Sequence, residues 1–509
     1  MARAEPERPF PPGDYPLIVI GSGPGALQVS YCLGRLGVEH AVLSADEAPG
    51  GMFRRWPFFQ RLLSWTKPYA PVTRDSRAYE RYDWNSLLAD EPEHRSLQAQ
   101  FMDHTSSFPS RPEMERSLVS FAQATGIRIR HGCRWTATQR EETAAGARFV
   151  LETTDGEYRT PLVVAAVGVC QPFTPAFPGS DLTAHYAKTR PAESYAGRRV
   201  LIIGKQNSGF ELASGLLNWA SRIVLASPSS TRLSVNTRSL VGVRARYVQP
   251  YEDHVLGGGV SVLDAAIQSV TRDDGGSLTV HLRPTNGGEE LAIAADEVIA
   301  ATGFTCPLGD LPSLGVATFG QSLLPTQTPF WESTTVPGLY FAGTIGQGSP
   351  GLKKHGLPSN SGAVHGARYN ARVLARRIAA VHFSKAPMDR VVDPSALVDF
   401  ALGEIDGCPE LWHQKAYLAR VVTVEPDGLH DRGIAPLAHV LDEGGPDAIV
   451  LTLEADGSGS IYPVVYLRRR GAISEHALDA DPLLDYTSDR YRRPLASILE
   501  AIVPGAVVR

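Results

Sequence analysis

Two kinds of hydrophobic pattern alternate along the first three quarters of the chain. Unbroken apolar runs at 15–20, 198–203 and 339–342 read as strands covered on both faces, since a strand inside a parallel sheet needs no polar side. The first two runs each lead into a glycine-rich turn and then into apolar residues at helical spacing, 24–36 and 212–219. Shorter strands follow at 39–43 and 222–226. The order strand, turn, helix, strand thus occurs twice. After Arg377 the pattern changes: 418–424, 448–454 and 460–468 read as strands between the turn signals Pro426-Asp427-Gly428 and Asp456-Gly457-Ser458-Gly459, and 491–502 reads as a terminal helix.

The first turn is Gly21-Ser22-Gly23-Pro24-Gly25-Ala26. Gly21 permits the tight turn, Gly23 lets the backbone approach a pyrophosphate, and Ala26 keeps the helix close to the strand. The free N–H groups of the following helix favour an anion. An acidic ribose ligand is expected about 20 residues on. Ser44 occupies that place, with Asp46 and Glu47 just beyond. The second turn, Gly204-Lys205-Gln206-Asn207-Ser208-Gly209, lacks a middle glycine but keeps small residues at the helix start. Its second strand ends in Ser227-Pro228-Ser229-Ser230-Thr231-Arg232, hydroxyls and a cation with no acid. That set suits a 2′-phosphate better than a 2′-hydroxyl, so NADPH is expected over NADH, with Arg232 and Lys205 as phosphate ligands. Ala301-Thr302-Gly303-Phe304 lies where the chain would return from the second unit to the first. Two such turns point to two dinucleotides held at once.

Composition narrows the picture. With 509 residues the chain has room for two or three domains. A net charge of −5 supplies no broad field for nucleic acid or anionic membranes, and no apolar run has the length of a membrane span. The five cysteines are scattered without a C-x-x-C, which fits reduced thiols and a cytoplasmic setting, and argues against electron delivery to a disulfide. The expected organisation is α/β. A loose arm at 1–13 precedes a discontinuous dinucleotide domain at 14–190 and 295–385. A second such domain is inserted at 191–294, and an α+β appendage at 386–509 serves as an oligomer contact or a lid.

The residues together resemble the two-dinucleotide flavoprotein monooxygenases: flavin-containing monooxygenases, Baeyer–Villiger monooxygenases and amino-acid N-hydroxylases. The resemblance runs from about Asp14 to Ile378. It rests on both turns, on Pro49-Gly50-Gly51-Met52-Phe53, Phe108-Pro109-Ser110-Arg111-Pro112-Glu113, Phe177-Pro178-Gly179 followed by His185, Ala301 to Phe304, Leu339 to Gly343, and Ser359-Asn360-Ser361-Gly362. It implies two Rossmann-like domains of glutathione-reductase-like architecture. FAD would lie on Gly21, Gly23, Pro24, Gly25, Ala26, Ser44, Gly51, Met52, Gly343, Ser361 and Gly362. NADPH would lie on Gly204, Lys205, Gln206, Asn207, Ser208, Gly209, Arg232, Thr302 and Gly303. No metal is implied.

The implied activity is an NADPH- and O2-dependent oxygenation through a C4a-(hydro)peroxyflavin. Where flavin-containing monooxygenases place an asparagine near the reactive flavin carbon, this chain has Thr66 and Lys67. The stretch 63–85 is similar to the segment in which N-hydroxylases hold an amino acid, which implies Lys67 and Asn85 as substrate ligands. Arg54, Arg55, Lys67, Arg74 and Arg77, with Lys353-Lys354-His355, offer clamps for a substrate carboxylate. A small amine or amino acid is the expected substrate. A Baeyer–Villiger or S-oxygenating enzyme, or a flavin reductase passing electrons to a protein, remain the alternatives.

Overall fold

The computed structural model describes residues 8–55, 61–144, 146–234, 242–248, 259–309, 314–351, 358–385 and 389–504. Its centre is a four-stranded parallel sheet in the order Leu339–Phe341, Val163–Ala165, Ile18–Ile20, Ala41–Leu43. Every residue of these strands is buried, as the unbroken apolar runs require. Alternate side chains feed two separate cores. Val19 and Val42 face the helices Pro24–Arg35 and Val364–Phe383, which pack together. Ile18, Ile20 and Leu43 face an antiparallel layer, Trp135–Thr143, Gly146–Thr153 and Gly156–Thr160.

The arm expected to be loose is docked from Arg8 onward. Gly13–Asp14 adds a parallel edge to the antiparallel layer beside Tyr158, Arg8 pairs with Asp155, and the Phe10 ring meets Tyr15 edge-on.

The second sheet repeats the plan. Arg199–Ile203 lies parallel between Arg222–Ser227 and Glu297–Ala300, with Val260–Arg272, Leu278–Pro284 and Leu291–Ala295 extending one side and Ala184–His185 the other. It therefore takes in residues on both sides of the expected 191–294, because Ala184–His185 and Glu297–Ala300 are hydrogen-bonded into it. The chain crosses between the two sheets twice, and the crossings pair antiparallel with each other: Phe304 opposite Pro172 and Thr305 opposite Gln171. Two Rossmann-like units joined this way are the architecture the sequence pattern predicts.

Residues from 389 onward form a six-stranded antiparallel sheet in the order Arg390–Val392, Gly428–Pro436, Leu418–Glu425, Asp447–Ala455, Ile461–Arg469, Ala472–Ala477. Helices Leu397–Gly407 and Asp489–Glu500 pack together on it. This part is not a satellite. Leu402, Leu418, Leu451 and Leu495 share one continuous apolar core with Val29, Leu33, Leu374 and Ile378 of the first unit. Burial on this scale at ~25 cal/mol per Å2 holds the two parts as one body. Among the described residues no helix is long and apolar enough to cross a membrane.

Candidate functional site

A cavity of about 690 Å3 opens at the carboxyl ends of the central strands, the place where open α/β sheets bind ligands. Three stretches of main chain converge there because they lack side chains. A Cβ on Gly21, at φ +127°, would stand 2.6 Å from the Ala166 carbonyl oxygen. A Cβ on Gly25 would stand 2.5 Å from Gly343 Cα, and one on Gly51 2.9 Å from Gly23 Cα. The helix Pro24–Arg35 starts at Gly23 without a side-chain cap and with no acid in its first turn, so its N–H groups face the cavity unanswered. Gly362, Ala363 and Val364 bring the uncapped start of the long helix to the same cavity.

This cradle fits a flavin dinucleotide. Of the residues expected to hold FAD, Gly21, Gly23, Pro24, Gly25, Ser44, Gly51, Met52, Gly343 and Gly362 line it. Ala26 lies beneath, fully buried. Ser361 is turned inward, its hydroxyl taken by Asn370 Nδ2 at 2.9 Å and Gln414 Nε2 at 3.0 Å. The acid missing at position 44 comes from two residues on. Ser44 Oγ donates to Ser22 Oγ, which donates to Asp46 Oδ2 at 3.1 Å, and Asp46 lines the cavity with Arg55 as counter-ion.

The second turn copies the first. A Cβ on Gly204, at φ +118°, would stand 2.4 Å from the Ala301 carbonyl oxygen, and one on Gly209 2.2 Å from that of Gly204. Helix Asn207–Leu216 begins at Gln206, also uncapped, with Ser208 in its first turn. Two expected ligands here have other work. Lys205 is buried, its ammonium paired with Asp264 at the neighbouring strand tip, so it is not available to a 2′-phosphate. Asp264 also accepts from Ser230 at 2.6 Å, which places a carboxylate beside the loop that the sequence reads as acid-free. Asn207 spends its amide on the main chain at Gly242 and Arg244. Arg232 is exposed. Thr302 donates to the Phe173 carbonyl and Gly303 accepts from His185 Nε2 at 3.0 Å, so both act at the crossings between sheets. Ala187 N–H donates to His185 Nδ1. That fixes the tautomer, and burial holds this histidine's pKa down.

The expected substrate ligands are not at the cavity. Lys67 is exposed, its backbone bonded to Tyr82 and Tyr79. Asn85 is buried in a closed network: its side chain donates to Thr66 at 3.0 Å and accepts from Ser64, and its backbone N–H donates to Asp83 Oδ1 at 3.0 Å. Of this stretch, Leu63 and Ser64 reach the cavity. The proposed clamps are occupied too: Arg54 pairs with Glu115, Arg55 with Asp46 and Arg77 with Glu410, while Arg74 donates to the Pro68 carbonyl. Lys353-Lys354-His355 fall outside the described residues.

Cysteine positions bring something the linear order hides. Cys133 and Cys170 line the cavity. The ribbon that sets Phe304 against Pro172 and Thr305 against Gln171 ends one residue short of Cys306 and Cys170, whose thiols are near enough to interact electrostatically. Burial, with Cys170 nearby, pushes the Cys306 thiol up to about 12.

The pyridine nucleotide-disulphide oxidoreductase family matches residues 18–343, both turns and the segment between them. The chain belongs to that family. It is 28% identical over 401 residues to a mouse protein named FAD-dependent oxidoreductase domain-containing protein 2, covering 72% of this chain and 57% of that one. The chain thus spans little more than half of that relative. It is 24% identical over 402 residues to an Arabidopsis thaliana protein named probable indole-3-pyruvate monooxygenase YUCCA4, covering 68% of this chain and 89% of that one. Among solved structures, a Staphylococcus aureus bacillithiol disulfide reductase (TM-score 0.56, 16% identity) and a Stenotrophomonas maltophilia flavin-containing monooxygenase (TM-score 0.54, 19% identity) share the fold. Each covers 72% of this chain and is itself covered to 99%.

Proposed function

We propose that the chain is an FAD- and NADPH-dependent monooxygenase that oxygenates a small amine at nitrogen. The observation that carries the reading is the duplicated turn. In each unit a positive-φ glycine is pressed against the carbonyl of an alanine, Ala166 or Ala301, beside an uncapped helix start. The flavin supplies hydride acceptance from the nicotinamide and, when reduced, reaction with O2. The protein's part is to hold and shield. On this reading Asp46 would take a ribose hydroxyl, Gly21 to Gly25 and Gly343 the pyrophosphate, and the start of Val364–Phe383 the electron-rich end of the ring. Arg232 favours NADPH. With Arg54, Arg55, Arg74 and Arg77 committed to protein partners, substrate recognition rests on the shape of the cavity rather than on a clamp built from those four.

The test is incubation with NADPH and 18O2 over a panel of amines, sulfides and ketones. One 18O in a hydroxylamine product supports the reading. Label in an ester or sulfoxide replaces nitrogen as the target, and complete loss of NADPH to peroxide with no labelled product removes the oxygenase reading.

A second reading has its own observation, the electrostatic proximity of Cys170 and Cys306. It is a disulfide reductase in which NADPH and a proton reduce a bound disulfide to two thiols while these cysteines cycle between dithiol and disulfide. Anaerobic, NADPH-driven reduction of a model disulfide, lost in C170S, favours it. Equal rates in wild type and C170S dismiss it.

A further inference from the structure

A second chamber, of about 210 Å3, lies away from the flavin cradle at the seam with the C-terminal sheet. Its walls carry five arginines, at 77, 95, 372, 376 and 420, against three carboxylates, at 80, 90 and 410. Most of these charges are answered. Glu410, nearly inaccessible, is shared by Arg77 and Arg372. Asp90 is approached by Arg372 and Arg35. Arg420 pairs with Glu404 and Asp431. Glu80 accepts the Tyr369 hydroxyl at 2.9 Å.

Two guanidiniums remain over. Arg95 is held by main-chain carbonyls alone, those of Ala89, Asp75 and Asp90. Arg376 has no hydrogen-bond or ion-pair partner among the described residues, although its side chain is half-buried. Burial and then the charge of Arg372 lower its proton affinity, and Glu410, beyond ion-pair distance, only partly offsets them. Arg372 and Arg376 stand four residues apart on the long helix, hence on one face of it. A half-buried guanidinium without an anion, next to a second one, is costly unless something supplies the charge.

We propose that this seam chamber is a binding site for a phosphate-type oxyanion, either inorganic phosphate or the phosphate of a small monoester. A planar guanidinium presents paired donors that match phosphate oxygens. Arg376 supplies them from the helix and Arg95 from the segment 77–95, beside Arg77 and Arg372, which share Glu410. The walls come from residues 77–95, the long helix and the C-terminal sheet, so a bound anion cross-links three segments. Arg368, one turn before Arg372 on that helix, lines the larger cavity.

The test is calorimetric titration of inorganic phosphate, and separately of glycerol 3-phosphate, into the purified protein. Saturating FAD and NADP+ occupy the dinucleotide sites, at low ionic strength. Saturable binding weakened about tenfold or more in R376M, the worth of one charge-assisted contact, supports the proposal. The tighter of the two probes then identifies the source of the phosphate. R376M loses no protein partner, so its melting temperature in phosphate-free buffer is expected to equal or exceed that of wild type. R232A, which alters the distant dinucleotide loop, is expected to bind phosphate as wild type does. Absence of saturable binding to wild type, or undiminished binding to R376M, overturns the proposal. Binding of a dicarboxylate but not of phosphate overturns the ligand class.

Discussion

Gly25→Ala adds one methyl group at the tightest point of the cradle. The new Cβ would lie 2.5 Å from Gly343 Cα, 2.7 Å from its N and 3.0 Å from the Ala342 carbonyl carbon. No side chain can swing away, because all three contacts are main chain. The first turn of Pro24–Arg35 must therefore lift from the end of Leu339–Phe341. Forced overpacking of this kind costs about 1–3 kcal/mol, equivalent to a loss of about 5- to 150-fold in affinity if it falls on the dinucleotide. Gly34→Ala is the internal control. It lies in the same helix, is exposed, and its Cβ would meet nothing within 4 Å, so a gain of about 0.5 kcal/mol is expected from helix propensity. Flavin-to-protein ratio after extended dialysis, read by absorbance, and a urea melt report the two effects. Equal flavin retention and equal midpoints in the two variants would refute the close approach.

Glu410→Gln takes the shared carboxylate from half-exposed Arg77 and leaves Arg372 only Asp90 at 3.9 Å, and a destabilisation of about 3 kcal/mol is expected in urea denaturation. Burial alone would raise the Glu410 pKa, but the two arginines reverse this and hold it at about 2. A depressed folded-state value stabilises above the unfolded carboxyl range. This contribution is therefore present above about pH 4.5 and lost as pH falls toward 2, and E410Q should flatten that part of the acid-unfolding curve. Arg232→Ala should raise the KM for NADPH about tenfold or more while leaving that for NADH unchanged, and equal changes for both would remove Arg232 from the 2′-phosphate. Lys205→Met should lower the melting temperature and leave the NADPH-to-NADH ratio as it was, since its charge is spent on Asp264.

The local pattern carried the parts of the fold that depend on short-range chemistry. Gly21 and Gly204 mark turns that only a positive φ can make, and the apolar runs they close are buried strands on both faces. Side-chain partners across long separations were not legible. Nothing near Lys205 in the chain announces Asp264, and nothing near Arg77 announces Glu410, so cations that looked free for a ligand prove to be paired. Asn85 reads as a substrate ligand, but Thr66, Ser64 and Asp83 close around it. Cys170 and Cys306 look scattered because the ribbon they flank is formed by two crossings far apart in sequence. The same limit applies to the C-terminal region. Its strands were readable from turn signals, but its merger with the core around Val364–Phe383 follows from which faces meet.

The paired crossings at Gln171–Pro172 and Phe304–Thr305 also restrict how the halves can move. Two independent tethers would let one sheet twist, tilt and slide against the other. Tethers hydrogen-bonded side by side behave as one flat strap, stiff against sliding and against twist about its length. Thr302 on Phe173 and His185 on Gly303 clip it at its edges. Bending across its flat face is the motion the strap resists least. A second tie, Arg246 and Tyr247 on the carbonyls of Leu62 and Arg61, holds the second unit against the first away from the strap, so opening along that bend must break it.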